Sequence, residues 1–297
     1  MLRLGIDIGG TKINVGLIRF EAGEAQVLAY RRLEVREQQD AADGILKAAK
    51  AVCAEQGITL SSVSACGVGI PGTVSADGKH ILLAPNISCL GEDLASRLEA
   101  ALGMPVSMLQ DSRAAAWGEY LCGAGKGTDT LICFTLGTGI GTGLVLNGSL
   151  YHGALGTAGE LGHTPVIANG RPCGCGKRGC VEKYCAGGGL DMTAAELLGK
   201  GSTAKDLFEA ARNGNREAQS AIDLAVERLG NTLVAAVNLL SPNVVLFSGG
   251  LSDVSSYFDP LVNYIQAHCY TLDHPPEIKK AALGTLAPMI GAALANS

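Results

Sequence analysis

Between Gly159 and Glu182 the chain reads GELGHTPVIANGRPCGCGKRGCVE, and this stretch limits what the molecule can be more than any other. His163, Cys173, Cys175 and Cys180 bring one imidazole and three thiols into a short, glycine-rich segment. Zinc prefers these donors, and four protein ligands leave no open position for water. The pattern therefore predicts a structural metal that pins a loop rather than a catalytic one. Gly174, Gly176 and Gly179 suit the tight backbone turns of such a knuckle. Buried thiols are the plainer alternative, and a redox pair is disfavoured because one residue, not two, separates Cys173 from Cys175. Glu160 lies three residues before the histidine and Glu182 two after the last cysteine. Closing the metal site draws both carboxylates toward one region, which suits a polyhydroxylated ligand whose hydroxyls need fixed acceptors.

A chain of 297 residues exceeds the usual size of one hydrophobic core, so two domains are expected. The net charge of -5 and the lack of a long basic run argue against nucleic acid or an anionic membrane as partner. Six of the ten cysteines (Cys53, Cys66, Cys89, Cys122, Cys133 and Cys269) are scattered singly through apolar segments, a reduced pattern that predicts a cytoplasmic protein. The opening MLRLGIDIGG meets an acid at Asp7 before a signal-peptide core could form. Ala281 to Ala295 is too short to span a bilayer, contains Pro288, and reads as a buried terminal helix.

Taken in order, Leu2 to Ile8 is an expected buried strand, turned by Gly9 to Thr11 into a second near Asn14 to Ile18, with a third around Val27 to Val35. Apolar residues at Ile45, Ala49, Val52 and Cys53 predict a helix over Asp40 to Gln56, stopped by Gly57. Val63 to Ile70 reads as a strand ended by Pro71 and Gly72, and APNIS at Ala84 to Ser88 as a loop bearing Asn86. A helix with Leu94, Leu98 and Leu102 on one face follows. Next, a short strand from Val106 to Leu109 delivers Gln110 and Asp111 to its carboxyl end, where open α/β sheets bind ligands. The second half restarts the pattern: strand Thr130 to Leu136, glycine turn Gly137 to Gly143, returning strand Leu144 to Leu146. This recurrence suggests two related halves, each offering a hairpin turn to a ligand. Helices are expected near Gly188 to Leu198, Ala204 to Arg212 and Arg216 to Leu240, then a strand at Val244 to Phe247 opening into SGGL, two more helices and a strand at Ile278 to Ala282.

Three glycine turns, Gly9 to Lys12, Gly137 to Gly143 and Ser248 to Gly250, each follow a buried strand. Glycine lets backbone N–H groups approach phosphate oxygens, and Thr11 and Thr138 add hydroxyls. Neither GxxxxGK[ST] nor GxGxxG occurs among these turns. Together with Asp7, which suits a magnesium ion held through water, they point to phosphate binding. Asp111 is the candidate acid for chemistry: a carboxylate at a strand end can accept the proton of a hydroxyl attacking a γ-phosphate. Capping of the following helix is an equally good local use of that residue.

In order along nearly the whole chain, DIGGTK (Asp7 to Lys12), QDSRAAAWGEY (Gln110 to Tyr120), LGTGIGTG (Leu136 to Gly143), GELGH (Gly159 to His163), CGCGKRGCVE (Cys173 to Glu182) and SGGL resemble the ROK family of sugar kinases and sugar-responsive repressors. The resemblance implies an α/β, actin- and hexokinase-like (ribonuclease H-like) two-domain ATPase fold. It places a small domain at 1–117 joined by a last helix at 284–297, and a larger one at 118–283 that carries the zinc loop. It implies Asp111 as general base, and Gly72, Asn86, Gln110, Asp111, Glu160, His163 and Glu182 around the sugar, with His163 also on structural Zn2+ beside Cys173, Cys175 and Cys180. Asp7, Gly9, Gly10, Thr11, Lys12, Thr138 and Gly139 would hold the phosphates of ATP with Mg2+, and Gly249 and Gly250 would lie against adenosine. A homodimer is the assembly implied.

Some positions depart from that pattern: Gln110 and Arg113 stand where family kinases commonly carry Asn, and Thr142 where Gly is common. These bear on the choice of sugar, whereas APN, AAAWGEY and the retained Glu160 look like the glucokinases of the family. The expectation is ATP-dependent phosphorylation of a hexose at the 6-hydroxyl, with glucose first. Alternatives within the class are fructose, allose, N-acetylmannosamine or N-acetylglucosamine. A repressor is disfavoured because Asp7 already sits in the first phosphate strand, ahead of which family repressors carry a helix-turn-helix.

Overall fold

The computed structural model describes residues 1–38, 40–75, 77–84, 90, 93–270 and 274–295. In chain order its elements are β1 (Leu2–Ile8), β2 (Lys12–Glu21), β3 (Glu24–Glu34), α1 (Ala41–Glu55), β4 (Cys66–Ile70), β5 (Thr73–Val74), β6 (Ile81–Leu83), α2 (Leu94–Leu102), β7 (Val106–Gln110) and α3 (Asp111–Cys122). The chain goes on through β8 (Leu131–Leu136), β9 (Ile140–Leu146), β10 (Ser149–Leu150), α4 (Glu182–Cys185), α5 (Gly187–Leu198), α6 (Ala204–Arg212), α7 (Arg216–Leu240), β11 (Val244–Ser248), α8 (Ser255–His268), β12 (Glu277–Lys280) and α9 (Ala287–Ala293). It divides into two compact units: Met1–Leu131 with Gly143–Ala158 and Ala281–Ser297, and Ile132–Thr142 with Gly159–Lys280.

Two five-stranded sheets repeat one plan, β3-β2-β1-β4-β7 and β10-β9-β8-β11-β12. In the first, β1 and β2 are antiparallel with Asp7 opposite Asn14, and β4 and β7 add in parallel on the other side. In the second, β11 and β12 are likewise parallel. The faint likeness between the two glycine hairpins therefore corresponds to a repeated strand order.

Local chemistry explains most boundaries. Asp40 caps α1, accepting from Ala42 N–H at 2.8 Å, and Gly57 ends the segment with φ +63°. Ile45, Ala49, Val52 and Cys53 face the core together with Ile6, Ile8 and Val68 of the sheet. Asn215 caps α7 by accepting from Glu217 and Ala218 N–H, and Thr203 with Asp206 forms a capping box on α6. The terminal helix α9 lies directly on the first sheet: a Cβ at Gly67 of β4 would overlap the carbonyl of Ala292, and one at Gly291 the carbonyl of Ala114 in α3. Trp117 Nε1 donates to Leu294 O at 2.9 Å and completes that contact.

Three expectations need correction. The strand expected from Val63 begins at Cys66, because residues 60–62 form a single 3-10 turn closed by Val63 N–H on Leu60 O at 3.0 Å. The turn expected over Gly137 to Gly143 ends at Gly139. Ile140 already starts β9, and Gly143 lies within that strand because its backbone passes close to Ser112 and Ala116 of α3. The buried terminal helix starts later than expected, after a 3-10 turn at Gly284–Leu286, with Pro288 in its first turn where the missing N–H costs nothing. Among the described residues no helix is long and apolar enough to cross a membrane.

Candidate active site and metal centre

The first unit carries the first glycine turn and the candidate base. Gly9 N–H donates to Lys12 O at 2.7 Å, closing the turn between β1 and β2, and Val35 N–H donates to Thr11 O at 2.9 Å. Gly10, Thr11 and Lys12 are exposed, and Gly10 and Thr11 line a pocket with Glu34, Val35 and Arg36. Behind the turn, Asn14 Nδ2 donates to Asp7 Oδ2 at 3.1 Å, and Arg32 Nε donates to Asn14 Oδ1 at 3.3 Å. Burial pushes the Asp7 carboxyl above the usual carboxylate range, and the Asn14 bond partly offsets it.

Gln110 ends β7 in extended conformation and takes the N-cap position of α3, so Asp111 is the first helical residue. Its Oδ1 accepts from Ser112 N–H at 2.6 Å, a placement the helix dipole favours for a negative charge. Two residues on, Arg113 is buried and its Nη2 donates to Ala158 O at 2.7 Å. Gly72 sits where a Cβ would overlap the Leu83 carbonyl, so the backbone of β6 closes over that turn. Asn86, expected beside the sugar, lies outside the described residues.

The second unit carries the other two turns and the cysteine loop. Gly137 N–H donates to Gly139 O at 3.0 Å across the β8–β9 turn. Glu182, at the start of α4, reaches this turn: its Oε2 accepts from Ile140 N–H at 3.0 Å. Gly249 follows β11 with φ +92° and its backbone against Leu136, a conformation and a clearance that only glycine provides. Gly249 and Gly250 are exposed, and Ser252 Oγ donates to Gly249 O at 2.6 Å.

His163, Cys173, Cys175 and Cys180 converge, their donor atoms all lying within 4.8 Å of one another. Zinc–sulfur bonds of about 2.3 Å in a tetrahedron give sulfur–sulfur edges of about 3.8 Å. Cys175 Sγ and Cys180 Sγ are 3.7 Å apart, and Cys173 Sγ is 3.5 Å from His163 Nδ1. The donor set and its spacing thus fit a four-coordinate zinc site bound through Nδ1. The other ring nitrogen, Nε2, faces Glu160 with Oε2 at 3.8 Å. Backbone bonds shape the loop: Cys173 N–H to Lys177 O at 2.9 Å and Val181 N–H to Thr164 O at 2.9 Å.

Several participants escaped the sequence reading. Asn14, the partner of Asp7, stands seven positions away with no motif to mark it. Arg171 braces the cysteine loop, its Nη1 donating to Lys183 O at 2.8 Å and Gly189 O at 3.0 Å while the guanidinium stacks 4.8 Å from the Tyr184 ring centre. A lone arginine in a polar loop gives no signal of such a role. The glycine run at 187–189 did carry one, since close backbone approach is its ordinary use.

Glycine-turned hairpins at corresponding strands of two like-ordered sheets, with a carboxylate at the end of β7, define an α/β protein of the actin- and hexokinase-like two-domain class. Residues 3–296 match the ROK family, and the chain belongs to it. The glucokinase of Streptomyces coelicolor is 33% identical, with 98% of this chain and 96% of that protein covered. The N-acetylgalactosamine kinase AgaK of a Shewanella species is 32% identical, covering 98% and 95%. Among solved structures, a ROK family glucokinase from Streptomyces griseus in complex with glucose and AMPPNP superposes with a TM-score of 0.77 at 34% identity, covering 99% of each chain.

Proposed function

We propose that this protein is an ATP-dependent hexose kinase that transfers the γ-phosphate to the 6-hydroxyl of glucose. The observation that carries the reading is the convergence of His163, Cys173, Cys175 and Cys180 on a loop that also holds Glu160 and Glu182, in a chain similar throughout to a glucokinase that binds glucose and AMPPNP. Glu160, His163 Nε2 and Glu182 supply acceptors and a donor for sugar hydroxyls, joined by Gly72, Asn86 and Gln110. The exposed turns at Gly9 to Lys12 and Thr138–Gly139 offer backbone N–H groups and hydroxyls to phosphates, with Gly249 and Gly250 against adenosine. Asp7 would hold Mg2+ through water, and the ion would supply charge neutralisation to phosphoryl transfer.

Asp111 takes the proton of the attacking hydroxyl. The phosphoryl transition state is loose, so this carboxylate mainly orients the nucleophile and does not have to be unusually basic. Its Oδ1 accepts from Ser112 N–H at 2.6 Å, which fixes the direction of the carboxylate. Zinc would be structural here: His163, Cys173, Cys175 and Cys180 would fill its four positions and pin the loop, leaving none open for the transfer. The protein is proposed to be a cytoplasmic homodimer with a small domain at 1–117 plus 284–297 and a larger one at 118–283.

A second reading, phosphorylation of an N-acetylhexosamine, is favoured by the likeness to the Shewanella kinase. Incubation with ATP and a panel of hexoses and N-acetylhexosamines, followed by positional analysis of the product phosphate, separates the two. Glucose 6-phosphate as the best product supports the first reading. A clear preference for a 2-acetamido sugar supports the second.

A further inference from the structure

The Gly137–Gly139 turn is gripped by one stretch of chain that follows directly on the cysteine loop. Gly187 N–H donates to Gly137 O at 2.9 Å and Gly188 N–H to Thr138 O at 3.0 Å. The third bond, Ile140 N–H to Glu182 Oε2 at 3.0 Å, differs in kind because a side chain makes it. The same oxygen occupies the space over Gly139, where an added Cβ would come within 2.5 Å of it. Oε1 lies 3.5 Å from Lys183 Nζ, and the Glu182 side chain keeps 18% of its surface accessible. One oxygen is thus committed to the turn and the other stays within reach of a ligand. Arg171, inside the cysteine loop, fixes the position of this segment through Lys183 O and Gly189 O.

We infer that Glu182 is a positioning residue that couples sugar binding to nucleotide binding, through its bond to the amide that follows the phosphate turn. The inference rests on the kinase reading and adds a role that sugar contact alone does not imply. The carboxylate sets where Thr138 and the Gly139 amide point, so a sugar hydroxyl that draws on Glu182 also adjusts the turn. Displacing Glu182 from the turn therefore weakens the sugar, and removing Glu182 weakens the nucleotide.

The test crosses the two ligands. AMPPNP with magnesium is titrated calorimetrically, without sugar, into Glu182→Ala and Glu182→Gln; glucose is titrated, without nucleotide, into Gly139→Ala. Zinc content and melting temperature are recorded for each. Loss of a charge-assisted hydrogen bond predicts AMPPNP binding about tenfold weaker in Glu182→Ala. Glu182→Gln loses less, because its amide oxygen still accepts from Ile140 N–H. Gly139→Ala, whose methyl group pushes the carboxylate aside, weakens glucose several-fold although it lies in the phosphate turn. Wild-type AMPPNP affinity in a zinc-loaded Glu182→Ala protein, or wild-type glucose affinity in Gly139→Ala, would overturn the coupling. Should Glu182→Ala fail to fold, Glu182→Gln and Gly139→Ala carry the decision. Wild-type protein that binds neither ligand would remove the kinase reading and the coupling together.

Discussion

At the scale of single residues, two aspartates behave differently and predict different things. Asp111 sits at a helix start, its Oδ1 held by a 2.6 Å bond from Ser112 N–H. Asp111→Asn keeps the shape and removes the base, so turnover should fall by about 10²-fold to 10⁴-fold while glucose still binds calorimetrically. Turnover near wild type would take the base role away from it. Asp7 is a carboxyl whose pKa is raised by burial despite the Asn14 bond. The folded protein holds that proton to higher pH than the unfolded chain does. Between the two pKa values the unfolded chain binds fewer protons, and the stability contributed by this group declines as pH rises through that window. Above that window the ionised Asp7 is a cost to the ligand-free fold. Asp7→Asn should raise the melting temperature by about 1–3 °C at pH 7 and have less effect at pH 4, while lowering magnesium-dependent activity. A lower melting temperature at pH 7 would contradict the burial argument.

At the scale of elements, Glu119 of α3 is fully buried and accepts from Ala124 N–H at 2.8 Å, Ala282 N–H at 3.0 Å and Leu283 N–H at 2.7 Å. It ties α3 to the segment that leads into α9. Glu119→Ala leaves three amides without their acceptor and should destabilise the protein by about 2–4 kcal/mol, measured by urea unfolding. A loss below about 0.5 kcal/mol would mean that water replaces the carboxylate. The cysteine loop makes a second element-scale prediction. Cys175→Ala removes one of four donors and should lower zinc content and raise the glucose requirement, whereas an unchanged Michaelis constant would separate the metal from the sugar site. The metal cluster was legible in the sequence because all four donors are local and glycine-spaced. The bounds of α6 and α7 were legible too, since Thr203, Asp206 and Asn215 are side-chain caps. The start of β9 was not: glycines that serve close packing against α3 look the same in sequence as glycines that make a turn. The glycine run at 187–189 signals a close backbone approach, but not that its partners are Gly137 and Thr138, because bonds between backbones leave no side-chain signature.

At the scale of the whole molecule, a hairpin extended by two parallel strands occurs twice, and each copy turns on glycine and threonine. That repetition gives one chain two glycine turns at corresponding strands, and the chain, a member of the ROK family, also carries a loop whose His163, Cys173, Cys175 and Cys180 could hold a metal ion. As a sugar kinase, the protein should consume ATP only when a sugar is there to accept the phosphoryl group. ADP release measured by a coupled assay, with and without glucose, tests it most directly. A low rate with ATP and magnesium alone, rising at least about a hundredfold with saturating glucose, is the predicted result. An ADP release rate that stays the same whether glucose, any other hexose or an N-acetylhexosamine is present would contradict the account.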